Sequence, residues 1–170
     1  DGEKYFRDEA MAGKIAALQT LAVVKYEETE SRTAPPAPFT TSTLQQEASG
    51  KLKFGPKQTM ELAQKLYEQG AISYMRTDSP NLSAEAVAEI RKMAIKLNWP
   101  LPDKPRTWQS KDCAQEAHEA IRSTHFEQET AGTTKDEQAL YRLIHNRAVA
   151  SQLGDAIYAV ASAELSAEMD

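Results

Sequence analysis

Apolar side chains at Met11, Ile15, Leu18 and Leu21 recur every three or four residues, which predicts an amphipathic helix from Phe6 to about Leu21. The pattern then turns β-branched and aromatic over residues 21–27, predicting a strand. Pro35, Pro36 and Pro38 interrupt the stretch Ser31 to Pro38, which reads as a linker because proline removes backbone donors and keeps its predecessor extended. A helix is expected over Thr43 to Leu52, with Ser42 as its cap. The next helix, 56–69, starts on Pro56 and stops at Gly70, with Met60, Ala63, Leu66 and Tyr67 on one face. Residues 71–76 are too few for a helix and suit a strand, ended by Asp78-Ser79-Pro80-Asn81. Ser83 caps a helix with Val87, Ile90, Ala94 and Leu97 on one face, ending near Asn98. Pro100 to Ser110 is a proline-rich loop, and a short helix is expected over Ala114 to Ile121. Thr134-Lys135-Asp136-Glu137 matches a capping box ahead of a helix bearing Leu140, Ile144 and Ala148, and the tail Ala156 to Leu165 reads as a strand. The two strand-like ends have no hairpin partner nearby and are expected to pair with each other or with strands outside this chain. The helical middle then looks inserted between two parts of a second body.

Composition narrows this picture. With 41% hydrophobic residues in 170, the chain can fill a core, which excludes wholesale disorder. No apolar run approaches the roughly 20 residues that cross a bilayer, so no membrane partner is expected. The opening Asp1-Gly2-Glu3-Lys4 has neither an initiator Met nor a basic-then-apolar leader, and we expect an internal piece of a longer protein. A single cysteine, Cys113, cannot form an internal disulfide or a four-cysteine zinc site, and a reducing cytoplasm is the expected compartment. His125 and His145 add no metal-ligand pattern with it, so no metal site is expected within the chain. The net charge of -5 argues against a polyanion partner until it is divided: residues 31–125 carry 13 basic and 10 acidic side chains, whereas both flanks are acidic. Only the central segment suits phosphates.

Three clusters carry candidate chemistry. If Tyr74-Met75-Arg76-Thr77-Asp78 is extended, alternation places Tyr74, Arg76 and Asp78 on one side and Met75 and Thr77 on the other. A phenol is a weak nucleophile near neutrality and gains from an adjacent cation, and arginine can hold two phosphate oxygens at once, with Asp78 available to orient it. The same spacing also suits a half-buried strand with a surface Arg76–Asp78 ion pair. In Gln115-Glu116-Ala117-His118-Glu119-Ala120-Ile121-Arg122, helical spacing makes His118 and Arg122 neighbours, a possible phosphate clamp or a solvated face with a Glu119–Arg122 pair. The hydroxyl run Thr40-Thr41-Ser42-Thr43 leads into a helix that it could cap or at which it could bind an anion, and Lys51, Lys53 and Lys57 follow it.

The segments Ala37 to Ser49, Ala71 to Ser79 with Asn81-Leu82-Ser83, and Gln115 to Arg122 stand in the order and approximate spacing found in type IA DNA topoisomerases, and the chain resembles the bacterial topoisomerase I branch. The resemblance implies a mainly α fold with short β-strands (α+β): a helical tyrosine-bearing domain, residues 38–126, between two arms of a β-rich arch, residues 1–37 and 127–170. It implies that Tyr74 attacks a phosphodiester of single-stranded DNA and becomes joined to the 5′ phosphate, with Arg76 positioning the scissile phosphate. His118 and Arg122 match positions near that phosphate. Ser42, Thr43, Gln46, Thr77, Asp78 and Glu119 fall within the matching motifs as supporting or DNA-contacting residues. Strand passage and religation would then relax negative supercoils without ATP, in a bacterial, nucleoid-associated setting. The resemblance further implies Mg²⁺ on a separate toprim domain, a partner along with the parent's remaining domains. No Asp-x-Asp after a strand stands in this chain, so alone it is expected to lack relaxation activity. One departure is Ser123, where the family motif usually continues with proline. A non-catalytic module that grips single-stranded DNA is the competing reading. Tyrosine-dependent relaxases and recombinases fit less well, since neither the histidine cluster of the first nor the distributed Arg/His set of the second is present.

Overall fold

The computed structural model describes residues 8–18, 20–109 and 119–166. They form two compact units, one built from both ends of the chain (1–32 and 157–170) and one from the middle, Thr33–Ala156.

In the unit of the two ends, helix α1 covers only Glu9–Ala16. Asp8 caps it by accepting from the amides of Ala10 (2.9 Å) and Met11 (3.2 Å), but no side chain of the helix is buried. A short helix without an apolar face to bury has little to propagate it, and the expected extension to Leu21 is absent. Strands β1, Ala22–Thr33, and β2, Ala156–Ser166, pair with each other in a two-stranded sheet. They are 12 and 11 residues long, and β1 runs through Ser31-Arg32-Thr33, a stretch the sequence pattern reads as the start of the linker. Same-face ties two residues apart run along β1: Lys25 to Glu27 at 2.8 Å, Arg32 to Glu30 at 2.8 Å, and the Tyr26 hydroxyl donating to Glu28 at 2.7 Å.

The middle unit contains helices α2 (Thr41–Leu52), α3 (Pro56–Glu68), α4 (Ala84–Lys96) and α5 (Lys135–Ser151). Phe39, Leu44, Ala48, Leu62, Ala63, Leu66, Ile72, Met75, Ile121, Leu140, Tyr141 and Ile144 make its main core. A smaller cluster joins Ala86 and Ile90 of α4 to Phe126, Ala148 and Val149. Because α5 packs on α2 and α3, residues 127–155 belong with the helical unit and not with a return arm. On α3 the buried face is Thr59, Leu62, Ala63 and Leu66, while Tyr67 stays 41% exposed. On α4 it is Ala86, Ile90 and Ala94, and Leu97 is exposed. Arg147 of α5 braces the strip before α2: it donates to the Ala37 carbonyl, pairs with Glu47 at 2.9 Å, and lies over the Phe39 ring at 4.3 Å.

The helix caps show where local patterning held and where it shifted. Pro56 opens α3, Gly70 follows it with φ +70°, and Ser83 caps α4 by accepting from the Ala86 amide, all as expected. The cap of α2 is Thr40, not Ser42, with Thr40 and Thr43 satisfying each other's amides in a reciprocal box. At α5, Thr134 accepts from the Glu137 amide (3.2 Å), but the carboxylate of Glu137 turns past Thr134. It accepts instead from the Thr133 amide (2.8 Å), the Thr133 hydroxyl (2.9 Å) and Gln69 Nε2 at the end of α3 (3.1 Å). Gly132, at φ +105°, leaves no room for a side chain there, since a Cβ would lie 2.6 Å from the Cβ of Glu137.

Those donors, the Thr133 amide foremost, hold the Glu137 carboxyl at about 2, below its ordinary 4.5. A depressed carboxylate stabilises the fold above its unfolded value and loses that contribution as pH falls through the folded one. Thermal melts from pH 6 to pH 2 should therefore show a loss between about 4.5 and 2 that is smaller in Glu137→Gln. A wild-type melting temperature flat across that window would contradict the assignment.

Candidate functional site

Residues 71–80 form no strand; Ile72 makes an isolated antiparallel bridge to Ser123 and the rest lacks sheet partners. Burial nonetheless alternates as an extended chain requires. Met75, Thr77 and Ser79 are buried, whereas Tyr74 (50% exposed), Arg76 and Asp78 face solvent. The backbone groups that a sheet would have paired are satisfied at two clamps. On the N-terminal side, the strip 120–124 takes the load. The Ser73 amide donates to the Arg122 carbonyl (2.8 Å) and the Thr124 amide to the Ala71 carbonyl (3.0 Å). The Ser73 hydroxyl donates to the Ala120 carbonyl and accepts from the Arg122 amide, each at 3.0 Å, and the Thr124 hydroxyl donates to the Gly70 carbonyl. On the C-terminal side stands Thr41. Its hydroxyl donates to the Met75 carbonyl (2.8 Å) and accepts from the Thr77 amide (2.9 Å), and its own amide donates to the Thr77 carbonyl (2.9 Å). Tyr74 sits between the clamps with its ring edge-on to Tyr67 at 5.3 Å.

An open groove of about 710 Å³ adjoins the C-terminal part of this segment, lined by Thr40, Thr41, Ser42, Thr43, Arg76, Thr77, Asp78, Pro80 and Gln109. The fold thus brings the hydroxyl run and Arg76 together, and Arg76 is the only lysine or arginine among the described residues of that lining. The expected Arg76–Asp78 pair is absent, and the Arg76 side chain makes no hydrogen bond or ion pair with a described residue. Thr77 is structural in aspect, its hydroxyl accepting from the Ser79 amide at 3.1 Å. Gln46 is exposed on α2 outside the lining. Lys51, Lys53 and Lys57 are also outside it, held by Glu47, the Gly50 carbonyl and Glu61 respectively.

The second predicted cluster is redistributed. His118, with most of the helix expected over Ala114 to Ile121, lies outside the described residues. Residues 119–121 are not helical, and Ile121 instead bridges to Phe39, its amide donating to the Phe39 carbonyl at 2.8 Å. Arg122 is turned inward: it pairs with Glu119 at 2.9 Å, donates to the Ser123 carbonyl, and approaches the Phe126 ring. Glu119 also accepts from the Ser83 amide, tying this strip to the start of α4. With its charge met and its side chain 16% exposed, Arg122 is a brace in this conformation.

The sequence profile of the DNA topoisomerase family matches residues 2–170. The chain belongs to that family. Its resemblance to the type IA, bacterial topoisomerase I branch is supported by individual relatives. It is 47% identical over 163 residues to the plasmid DNA topoisomerase I of Xylella fastidiosa, covering 96% of this chain and 25% of that protein. It is 50% identical over 158 residues to DNA topoisomerase 1 of Streptomyces coelicolor, covering 88% of this chain and 17% of the relative. The solved full-length topoisomerase I of Thermotoga maritima superposes with a TM-score of 0.77 at 35% identity, over 96% of this chain and 28% of that one. The chain therefore spans between 17% and 28% of the length of these topoisomerases.

Several features of this topoisomerase segment carry no motif signal. Thr41 is one of four consecutive hydroxyls, and nothing in the run marks it as the clamp. Asn81 holds the loop that brings Gln109 to the groove, its amide donating to the Trp108 carbonyl and accepting from the Trp108 amide, both at 2.8 Å. Spacing puts Tyr67 on the core face of α3, whereas its ring flanks Tyr74. The described residues contain no group of three or more His, Cys, Asp or Glu placed to hold a metal ion. Among the described residues, no helix is long and apolar enough to cross a membrane.

Proposed function

We propose that the parent topoisomerase cuts single-stranded DNA through Tyr74. The phenolic oxygen attacks phosphorus, the bond from phosphorus to the 3′ oxygen breaks, and that oxygen takes a proton as the phenol gives one up. The 5′ phosphate stays on Tyr74 until the 3′ hydroxyl reverses the step, so a strand can pass and negative supercoils relax without ATP. Arg76 holds the non-bridging oxygens and the charge that develops on them. Ser42 and Thr43 line the groove as contacts for the adjoining backbone, with Asp78 at its rim and Gln46 beyond it, while Thr77 supports the segment that carries Tyr74 and Glu119 and Arg122 support the strip 120–124. His118 is assigned beside the same phosphate on the strength of the motif alone. The observation that carries the reading is an exposed Tyr74 on the same edge as an uncommitted Arg76 that opens on a hydroxyl-lined groove.

The direct test is to trap the parent on single-stranded DNA and digest it with trypsin. Tyr67 and Tyr74 fall in one peptide, Leu66 to Arg76, and fragmentation should place the nucleotide on Tyr74. An adduct on any other residue overturns the assignment. Mg²⁺ and the remaining catalytic groups are assigned to a toprim domain elsewhere in the parent, acting in the bacterial cytoplasm at the nucleoid. This chain alone is accordingly expected to leave supercoiled plasmid unrelaxed in the presence of Mg²⁺, and robust turnover would place the whole site within it.

A further inference from the structure

We propose that His145 is a positioning residue for Tyr74, acting through the buried hydrogen bond between its Nδ1 and the Ser123 hydroxyl. This rests on Tyr74 being the nucleophile. The segment carrying Tyr74 is held on its N-terminal side by the strip 120–124, through five hydrogen bonds, two of which make the Ile72–Ser123 bridge. That strip has no helix or strand of its own. Phe39 and Asn81 hold it by main-chain bonds, and Ser123 joins it to α5 through His145 at 3.1 Å. Both partners are buried, Ser123 fully and His145 at 7% exposure, so the bond is shielded from exchange with water. The imidazole is itself fixed, stacked on Tyr141 at 5.9 Å and 24° and tilted against Phe126 at 6.3 Å. Helix α5 thereby sets the place of Ser123, the main-chain bonds of Arg122 and Thr124 on either side of it set the place of residues 71–73, and the phenol stands on the next residue. Attack at phosphorus is sensitive to displacement on this scale, since a 1 Å misplacement costs about 10²-fold in rate.

The test uses the full-length parent and measures single-strand affinity separately from the rate of covalent capture. His145→Phe keeps an aromatic ring against Tyr141 and loses the bond. It should hold affinity within about twofold and slow capture about tenfold. His145→Asn, whose amide reaches the place of Nδ1, should recover capture to within about threefold of wild type. Ser123→Ala should be as slow as His145→Phe, and the double variant no slower than either. Capture by His145→Phe at the wild-type rate overturns the proposal. So do multiplicative losses in the double variant, or a rate that falls only in proportion to the folded fraction from melts at the assay temperature. A wild-type parent that captures no DNA on Tyr74 would sink the nucleophile assignment instead.

Discussion

Tyr74→Phe in the full-length parent should abolish covalent capture of single-stranded DNA, by about 10⁴-fold or more, while leaving the fold intact. The substitution removes one oxygen. Half of Tyr74 is exposed, and its described contact is the ring edge against Tyr67, which phenylalanine preserves. Stability should therefore change by less than about 0.5 kcal/mol, as for surface positions without special contacts. Affinity for single strands should persist, because the groove hydroxyls and Arg76 remain. Capture and affinity should separate cleanly, which also distinguishes an enzyme from a module that only grips DNA. Covalent complexes surviving in this variant would move the nucleophile elsewhere.

Arg76→Ala is expected to slow cleavage about 10²-fold, the loss typical of one donor aimed at developing charge. Arg76 makes no ion pair or hydrogen bond with a described residue, so a folding defect is not the expected cause. Because one phosphate contact is lost, the salt dependence of binding should fall by about one unit in log–log slope. Arg76→Lys should recover the slope but only part of the rate, since an ammonium restores charge without the two-pronged geometry. Asp78 is not paired with Arg76, so it cannot substitute as the source of these effects. Wild-type cleavage by Arg76→Ala would remove the guanidinium from the mechanism.

Much of the helical frame was legible because its signals are local. Pro56 and Gly70 bracket α3, Ser83 starts α4, and Leu140, Ile144 and Ala148 lie on the buried stripe of α5, each within a few residues of what it controls. The same logic misled where one hydroxyl had to be chosen among equals, and Thr40 rather than Ser42 caps α2 because Thr43 can reciprocate. It also misled where pattern implied burial that the fold does not supply, as in α1. In the candidate site, alternation placed Tyr74, Arg76 and Asp78 on one edge without needing a strand, but the spacing that joined Arg76 to Asp78, and His118 to Arg122 on a helix, did not predict where Arg76 and Arg122 settle.

The amino-acid order by itself determined the approximate places of helices α2 to α5, the sharing of one edge by the tyrosine and arginine, and membership of the topoisomerase family, because capping, period and motif spacing act over short separations. Tertiary structure alone decided that Thr41 clamps a segment 36 residues away, that Glu137 reaches Gln69, and that Ser123 meets His145. Those contacts depend on which buried polar groups find partners once the core has closed, and a partner distant in sequence leaves no local trace.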